Sequence, residues 1–226
     1  MTPESVNAPV RHLVVLGHPS AHSFNAAVAE TYCASVRAAG QTPVLRDLYR
    51  IGFDPVLKEW ERSGGIDAEQ APDVAHELEM LRSADQIILI YPIWFGMPPA
   101  IIKGYVDRVL GAGFRADTLK AGRPHPVLAG KPFATFSSSA TTRQWLDERG
   151  QWESMRQAFD RYLVDIFGMR DAGHTHFDAI TDALEERTLY EHLEVARQRA
   201  TALSAGAQAE RHAERTRAAV RHQKDK

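Results

Sequence analysis

The sequence predicts an α/β fold, a doubly wound five-stranded parallel sheet with helices on both faces. Short, strongly apolar segments rich in β-branched residues alternate with longer segments whose apolar residues recur every three or four positions. Three of the longer segments stop at a glycine, the residue that most often ends a helix: Gly40, Gly111 and Gly168. Strands that alternate with helices of this length are typical of parallel sheets covered on both faces.

The first half of the chain predicts two strands and two helices. RHLVVLGHP predicts a buried strand that ends near Leu16, and the following helix is capped by Ser23. TPVLRDLY predicts the second strand. Residues from Gly52 to Gln70 predict irregular structure or a short helix, and another helix begins at Pro72.

The uncharged segment IILIYPIWFGMPPAII is almost long enough to cross a membrane, but its prolines argue against one helix. A proline inside a helix costs roughly 3 kcal/mol or more. We therefore predict a central strand from Ile87 to Tyr91 and a loop from Pro92 to Met97. A helix follows, with Pro98 and Pro99 in its first turn.

KPFATFSSSATT predicts the fourth strand and a polar loop, and AGHTHFDAI predicts the fifth strand. A terminal amphipathic helix is indicated by apolar residues spaced three or four apart, namely Leu189, Leu193, Ala196, Ala200 and Leu203. We expect residues 1–204 to form one domain and residues 205–226 to form a basic tail that is helical or disordered.

Composition limits the classes of function. The formal net charge of -2 gives no general attraction to nucleic acid or to an anionic membrane. Cys33 is the only cysteine and is expected to be a small buried residue, and the N-terminal sequence predicts no secretion signal, so we expect a cytoplasmic protein. His174 and His176 share a face of the last strand, but no further ligands complete a metal site, and none is expected.

Ligands of such sheets bind beyond the carboxyl ends of the strands, where the strand order reverses. This rule selects the loops GHPSAHSFN, PIWFGMPP and SSSATTRQW. There is no phosphate-loop lysine motif, and GAGFRA follows a helix rather than the strand that a dinucleotide fingerprint requires.

Each loop suggests part of a ligand. Ser20, Ser23 and Asn25 stand at a helix N-terminus, where free N–H groups can hold a phosphate, although Ser23 is equally compatible with a plain helix cap. The second loop supplies two aromatic rings and the third supplies hydroxyl groups. A phosphate site, an aromatic wall and a polar edge on neighbouring strand ends together predict a flavin.

The segments LGHPSAHSFNAAV, RDLY, FDPV and YPIWFGMPPAIIKGYVDRVL resemble the NAD(P)H:quinone oxidoreductase (DT-diaphorase) family of flavodoxin-like proteins, including its bacterial members. The resemblance extends from about Arg11 to Ile180. It implies a homodimer that binds FAD or, nearly as readily, FMN, with NAD(P)H as co-substrate and a quinone as acceptor. The flavin-binding residues that the resemblance implies, together with Ser20 from the anion site at the helix N-terminus, are His18, Ser20, Ser23, Phe24, Asn25, Pro92, Ile93, Trp94, Phe95, Ser137, Ser138 and Ser139.

The sequence departs from the family at the third loop, SSSATTRQW, which follows the fourth strand. The animal enzymes place a tyrosine and a histidine there that are implicated in hydride transfer, whereas RQWLDERGQW has neither. Arg143, Trp145 and Arg149 are the nearest candidates to replace this pair. Phe114 resembles an aromatic residue that covers the substrate pocket, and we expect Phe114 and Trp145 to line that pocket. The resemblance therefore implies flavin reduction by a ping-pong mechanism and leaves the catalytic residues open.

A different class of function is compatible with the same resemblance. Some bacterial relatives are ancillary subunits of potassium efflux transporters, and the basic tail after Ser204 could then be a docking element. The enzyme hypothesis predicts small-molecule partners, and the ancillary hypothesis adds a membrane transporter.

Overall fold

A computed structural model describes residues 8–62, 70–114 and 120–224 of the chain. Within these residues one sheet of parallel strands has the order β2-β1-β3-β4-β5. The strands are β1 Arg11–Leu16, β2 Thr42–Asp47, β3 Gln86–Pro92, β4 Pro132–Ser138 and β5 Arg170–Phe177. The predicted doubly wound, flavodoxin-like α/β sheet is confirmed.

The helices cover both faces of the sheet. They are α1 Phe24–Ala38, α2 Pro72–Ser83, α3 Ala100–Tyr105, α4 Arg143–Glu148, α5 Gln151–Met155, α6 Tyr162–Phe167 and α7 Glu186–Lys224. A π-helical turn, Val106–Leu110, continues α3, and another, Arg156–Arg161, joins α5 to α6. None of the helices in the described ranges combines the length and the apolarity that a membrane span requires.

Strand β3 is buried along its whole length because both of its faces are covered. Ile87, Leu89 and Tyr91 belong to the core layer formed with α2, α3 and the α5–α6 region. Ile88 and Ile90 belong to the opposite layer, formed with α1 and α7. The two-residue period of a strand sends successive side chains to opposite layers, which explains why an unbroken apolar run was needed here.

Most of the predicted boundaries are confirmed. The Ser23 hydroxyl accepts the N–H of Ala26 (3.1 Å) and caps α1, and Gly168 ends α6 with a left-handed φ of 65°. Cys33 is buried as predicted, and burial raises the pKa of its thiol to about 11.

Other boundaries differ from the predictions. Placing Pro98 and Pro99 in the first turn of α3 was wrong, because the helix begins at Ala100 and Pro99 is its N-cap, with an extended ψ of 154°. The fifth strand starts at Arg170 and ends at Phe177, so the last residues of AGHTHFDAI form a loop. The polar segment after β4 contains the short helix α4, capped by the Thr142 hydroxyl.

The terminal helix packs as predicted, with Ala196, Ala200 and Leu203 buried against the sheet. It continues without a break, so residues 205–224, the described part of the tail, are helical. Arg211 forms an ion pair with Asp85 (2.5 Å). The division into a domain of residues 1–204 and a tail stays a prediction.

In the described part of the excursion predicted between Gly52 and Gln70, residues 52–62 and 70, the chain is irregular apart from a 3₁₀ turn at Glu59–Arg62. Residues 63–69 of this excursion and residues 115 and 116 of GAGFRA lie outside the described residues.

Candidate functional site

The carboxyl ends of the strands enclose a cavity of about 570 Å³. All three loops selected from the sequence contribute to it. The predicted binding residues that line it are His18, Ser20, Ser23, Phe24, Asn25, Pro92, Ile93, Trp94, Ser138 and Ser139.

The first wall is the N-terminus of α1. A helix leaves its first N–H groups without intrahelical partners, and here Phe24 and Asn25, which supply two of them, line the cavity. Asn25 is buried, and its side-chain oxygen accepts the hydroxyl of Ser138 (2.9 Å). This bond joins the first loop to the third. The positive end of the helix dipole then favours an anion at this place.

His18 stands between this wall and the next. Its Nδ1 accepts the N–H of Ser20 (3.0 Å), and its ring centroid lies 5.8 Å from that of Trp94. Burial lowers the pKa of His18, while the contact of Nδ1 with the Ser20 carbonyl (3.2 Å) opposes the shift. The imidazole is therefore neutral at pH 7 and acts as a polar wall rather than as a cation.

The second wall comes from a tight hairpin after β3. The N–H of Trp94 donates to the carbonyl of Met97 (3.0 Å), and the N–H of Met97 donates back (3.2 Å). The two residues between them, Phe95 and Gly96, have φ values of 51° and 85°, as a type I′ turn requires. Trp94 lines the cavity, whereas Phe95 is fully exposed at the tip and does not.

The third wall consists of Ser138 and Ser139, whose backbone is fixed by hydrogen bonds to neighbouring segments. The carbonyl of Ser138 accepts the N–H of Ile93 (2.6 Å), and the N–H of Ser139 donates to the carbonyl of Phe177 (3.0 Å). Ser137 lies outside the cavity, since its Oγ contacts His174 Nε2 (2.6 Å) and His176 Nδ1 (2.8 Å).

The two predicted substrate-pocket residues lie away from this cavity. Phe114 packs against His125 and Phe167, with ring centroids 5.2 and 5.5 Å away, and lines a separate cavity of about 460 Å³. Trp145 is exposed beneath the guanidinium of Arg149, which lies 4.5 Å from its ring centroid. Their role in a substrate pocket, like that of Phe95 and Ser137 in flavin binding, stays a prediction.

A fourth wall was missed by the sequence reasoning. The loop after β5 and the start of α7 add Ile180, Thr181, Asp182, Leu184 and Leu189 to the lining. The N–H of Ile180 donates to the carbonyl of Ser139 (2.9 Å), which fixes this loop beside the third wall. The strand-end rule could have found it if the rule had also been applied to the fifth strand.

The chemistry of the lining fits a planar ligand with an anionic group. Hydroxyl and N–H donors cluster at the end of α1, and no lysine or arginine is among the described residues that line the cavity. An anion would therefore be held by backbone dipoles. Trp94, Ile93 and Leu184 supply an apolar surface on the other side. Within residues 8–62, 70–114 and 120–224, no group of three or more His, Cys, Asp or Glu is arranged to hold a metal ion.

Comparison with known proteins places this site in a family. Residues 10–200 match the family described as having a flavodoxin-like fold. An uncharacterized NAD(P)H oxidoreductase of Haemophilus influenzae is 30% identical over 163 residues, which is 72% of this chain and 80% of the relative. NAD(P)H dehydrogenase [quinone] 1 of Rattus norvegicus is 34% identical over 122 residues, which cover 46% of this chain but only 44% of the rat enzyme.

A solved structure agrees with these relatives. The NAD(P)H:quinone oxidoreductase from Methanothermobacter marburgensis superposes with a TM-score of 0.76 and 25% identity. The match covers 87% of this chain and 98% of that one. The chain therefore belongs to the flavodoxin-like fold family, and within it to proteins of the NAD(P)H:quinone oxidoreductase type.

Proposed function

We propose that this protein is a flavin-dependent NAD(P)H oxidoreductase that passes two electrons to a quinone or a similar acceptor. NAD(P)H and the acceptor would use one pocket in turn, in a ping-pong reaction. The flavin is FAD or FMN, and it supplies the hydride-accepting chemistry when bound.

One observation supports this proposal above the others. The single cavity at the strand ends combines the N-terminus of α1, the ring of Trp94 and the hydroxyl-bearing wall of Ser138 and Ser139. A flavin nucleotide needs these three kinds of surface, for its phosphate, its isoalloxazine ring and the polar edge of that ring. The relatives named above are oxidoreductases and quinone reductases, which agrees with this assignment.

The residues that line the cavity would hold the flavin in position. The N–H groups of Phe24 and Asn25 would hold the phosphate, and Trp94 would fix the plane of the ring. Donors at the Ser138–Ser139 wall would stabilise negative charge that develops at the polar edge, as in an oxyanion hole.

We also propose a homodimer with sites completed at the interface. The hairpin tip exposes Phe95 fully, and Trp94 and Met97 are exposed by 42% and 41%. A cluster of large apolar side chains on the rim of a cavity is typical of a surface that another molecule covers. Light scattering at several protein concentrations would measure the molar mass of the assembly, which should be that of two chains.

The first experiment is spectroscopic. The purified protein should absorb in the flavin bands, and acid should release a chromophore that chromatography identifies as FAD or FMN. NADH or NADPH should bleach the bands and a quinone should restore them. A colourless protein that binds neither FAD nor FMN on titration would contradict the proposal.

The aromatic wall can be tested by substitution. Changing Trp94 and Phe95 together to Ala should lower flavin retention, because Trp94 supplies the aromatic surface of the cavity and Phe95 is predicted to add to it from the hairpin tip. Tyr190→Ala is a matched control, since Tyr190 is exposed by 63% and does not line the cavity. Equal flavin retention in the double variant and the control would refute the assignment of these two side chains.

The ancillary-subunit hypothesis gains no support from the relatives described above, all of which are named as oxidoreductases or dehydrogenases. Truncation after Ser204 would test it. Unchanged activity without association of the full chain with membrane vesicles would argue against it.

A further inference from the structure

Behind the third wall, a chain of side chains in mutual contact runs from the cavity into the protein. Ser139 Oγ contacts His176 Nε2 (3.1 Å), and His176 Nδ1 contacts Ser137 Oγ (2.8 Å). Ser137 Oγ contacts His174 Nε2 (2.6 Å), and His174 Nδ1 contacts Asp160 Oδ2 (2.5 Å). We call these five residues the buried polar chain.

A bulge in β5 aligns the two histidines with the serines. The register between β4 and β5 shifts after Phe133, and Gly173 has a φ of 96°, which a residue with a Cβ rarely adopts. Beyond the bulge, His174 pairs with Thr135 and His176 pairs with Ser137. Without the extra residue at the bulge, His174 and His176 would face the opposite side of the sheet from Ser137.

The contacts of the buried polar chain can all be hydrogen bonds in only one arrangement of hydrogens. The Ser139 hydroxyl donates to the carbonyl of Thr141 (2.8 Å), so the contact with His176 requires a hydrogen on His176 Nε2. Burial, with a smaller contribution from His174, lowers the pKa of His176 to about 4. The ring is therefore neutral at pH 7, and its Nδ1 is an acceptor.

The same reasoning gives the hydrogens on Ser137 and His174. The one hydrogen of the Ser137 hydroxyl is donated to His176 Nδ1, so His174 Nε2 must donate to Ser137. The carboxylate of Asp160 accepts from His174 Nδ1. Making all of these hydrogen bonds at once, including the one from Ser139 to Thr141, therefore requires a hydrogen on both ring nitrogens of His174, opposite the Asp160 carboxylate. This arrangement holds one proton more than the neutral side chains supply.

The surroundings of the chain combine an aromatic ring with charged groups of both signs. The Trp152 ring lies 4.9 Å from each histidine ring, and the Arg143 guanidinium covers Trp152 at 4.0 Å. The Thr135 hydroxyl donates to Asp160 (3.5 Å). The other charged groups that face the chain are Asp147 on α4, Arg156 on the π turn, 4.0 Å from Asp160, and Asp178 after β5.

We propose that the buried polar chain is a proton relay that delivers the proton consumed in each turnover to the acceptor bound in the cavity. This inference rests on the proposed function. The balanced reaction is NAD(P)H + H⁺ + quinone → NAD(P)⁺ + hydroquinone. The quinone gains two electrons and two hydrogens, one as hydride and one as a proton, so one proton must enter the site.

The transfer is a shift of hydrogen bonds. The Nε2 proton of His174 moves to Ser137, the Ser137 proton moves to His176 Nδ1, and the His176 Nε2 proton moves to Ser139. The original Ser139 hydroxyl proton leaves to the reduced acceptor. His174 is then neutral, with its remaining hydrogen on Nδ1 facing Asp160. A proton from bulk solvent restores the imidazolium once the hydroxyl groups have turned back and His176 has returned to its first tautomer. Ser139 touches the cavity, whereas the other members act through it.

The first test needs no electron transfer. Ring ¹⁵N shifts of histidine-labelled, full-length protein, as purified, should show His174 protonated on both nitrogens at pH 7. In Asp160→Asn, which keeps the shape but removes the charge, His174 should lose one of these protons. A singly protonated His174 in the wild type would overturn the proposal.

The second test separates the two half-reactions. Hydride release from NAD(P)H consumes no proton, so Asp160→Asn, at a residue that does not line the cavity, should leave NAD(P)H-dependent bleaching unchanged. Asp160→Asn and Ser137→Ala should each slow quinone reduction by roughly 10²-fold, the usual contribution of a positioned acid. Reduction of ferricyanide, which takes up electrons without a proton, should be unaffected in Asp160→Asn. Ser204→Ala is the matched control, because its buried Oγ has no hydrogen-bond partner among the described residues.

A double variant completes the test. Asp160→Asn combined with Ser137→Ala should be no slower than either single variant, because both interrupt one path. Multiplying effects, or equal losses with quinone and ferricyanide, would overturn the relay and indicate a structural role. A protein that binds no flavin would instead defeat the proposed function, and the ¹⁵N shifts would still decide the protonation of His174.

Discussion

Phe95 combines two unfavourable features for a large apolar residue, since it has a left-handed φ of 51° and is fully exposed. A non-glycine residue in this region costs roughly 1–2 kcal/mol. Such strain persists where the surrounding structure requires it, and it is concentrated at binding sites. Here the two-residue hairpin that presents Trp94 to the cavity requires it.

We expect Phe95→Gly to raise the free energy of unfolding of the flavin-free protein by up to about 1 kcal/mol, because the left-handed strain is removed. Denaturant unfolding would measure it. The same change should weaken flavin retention or dimerisation, to which the exposed ring is assigned. Ala179→Gly is a calibration, since Ala179 also has a positive φ of 54°. A destabilised Phe95→Gly protein would show that the hairpin is not strained.

The adjacent serines at the end of β4 point to opposite faces of the sheet. Ser138 bonds to Asn25 at the cavity, whereas the adjacent Ser137 bonds to the histidines of β5 on the other face. Successive side chains of a strand point to opposite faces. Of the three serines, Ser138 and Ser139 therefore line the cavity and Ser137 does not, and a common ligand for them stays a prediction.

At the scale of the elements, helix α3 lies directly on the irregular segment before the 3₁₀ turn. A Cβ built on Gly104 would lie 2.3 Å from the Cβ and 2.4 Å from the Cα of Pro55. Because the backbone of Pro55 cannot move aside cheaply, the helix can approach this segment only through a glycine.

Gly104→Ala should therefore lower the free energy of unfolding by roughly 1–3 kcal/mol, as overpacking does. The sign is opposite to that of an ordinary helical position, where Gly→Ala stabilises by about 1 kcal/mol. Gly206→Ala on α7 is the matched control, since a Cβ there meets nothing within 4 Å. Thermal unfolding of both variants would check the pair, and stabilisation of both would disprove the close contact.

At the scale of the whole molecule, Arg108 connects segments that are distant in sequence. Its buried guanidinium bonds Glu61 (2.7 Å) and Asp73 (2.6 Å) and donates to the carbonyl of Asp54 (2.5 Å). These contacts attach the irregular segment and α2 to the π turn after α3. Arg108 is only 3% exposed, so the loss of its charge would leave Glu61 buried and unpaired.

Arg108→Met should lower the free energy of unfolding by about 3–5 kcal/mol, the usual effect of removing one partner of a buried ion pair. Arg187→Met is the control, because the Arg187–Glu191 pair is exposed and should contribute less than about 0.5 kcal/mol. Urea unfolding of the two variants would compare them. Similar small losses in both would contradict the role of Arg108.

The same cluster makes stability depend on pH. Burial alone would raise the pKa values of Glu61 and Asp73, but hydrogen bonds from Arg108 bring them below their ordinary values of 4.5 and 3.8. A lowered folded pKa gives stability that is present above the ordinary value and lost as the pH falls through the lowered one. We expect the wild type to lose stability below about pH 4.5, and Arg108→Met to show a shallower loss in acid titrations.

The sequence by itself determined the order of the elements, the parallel sheet and three of the four walls of the cavity. These follow from local patterns: apolar periods, helix-ending glycines and the cap at Ser23, all of which act between residues close in the chain. The strand-end rule then places the loops without knowledge of any contact.

Only the tertiary structure decided the outward position of Phe95, the separation of Ser137 from the cavity and the joining of His174 to Asp160. The last of these depends on a bulge at Gly173 that shifts β5 by one residue against β4. Register between strands is set by packing among residues far apart in sequence, and a shift of one residue exchanges the faces of every side chain that follows.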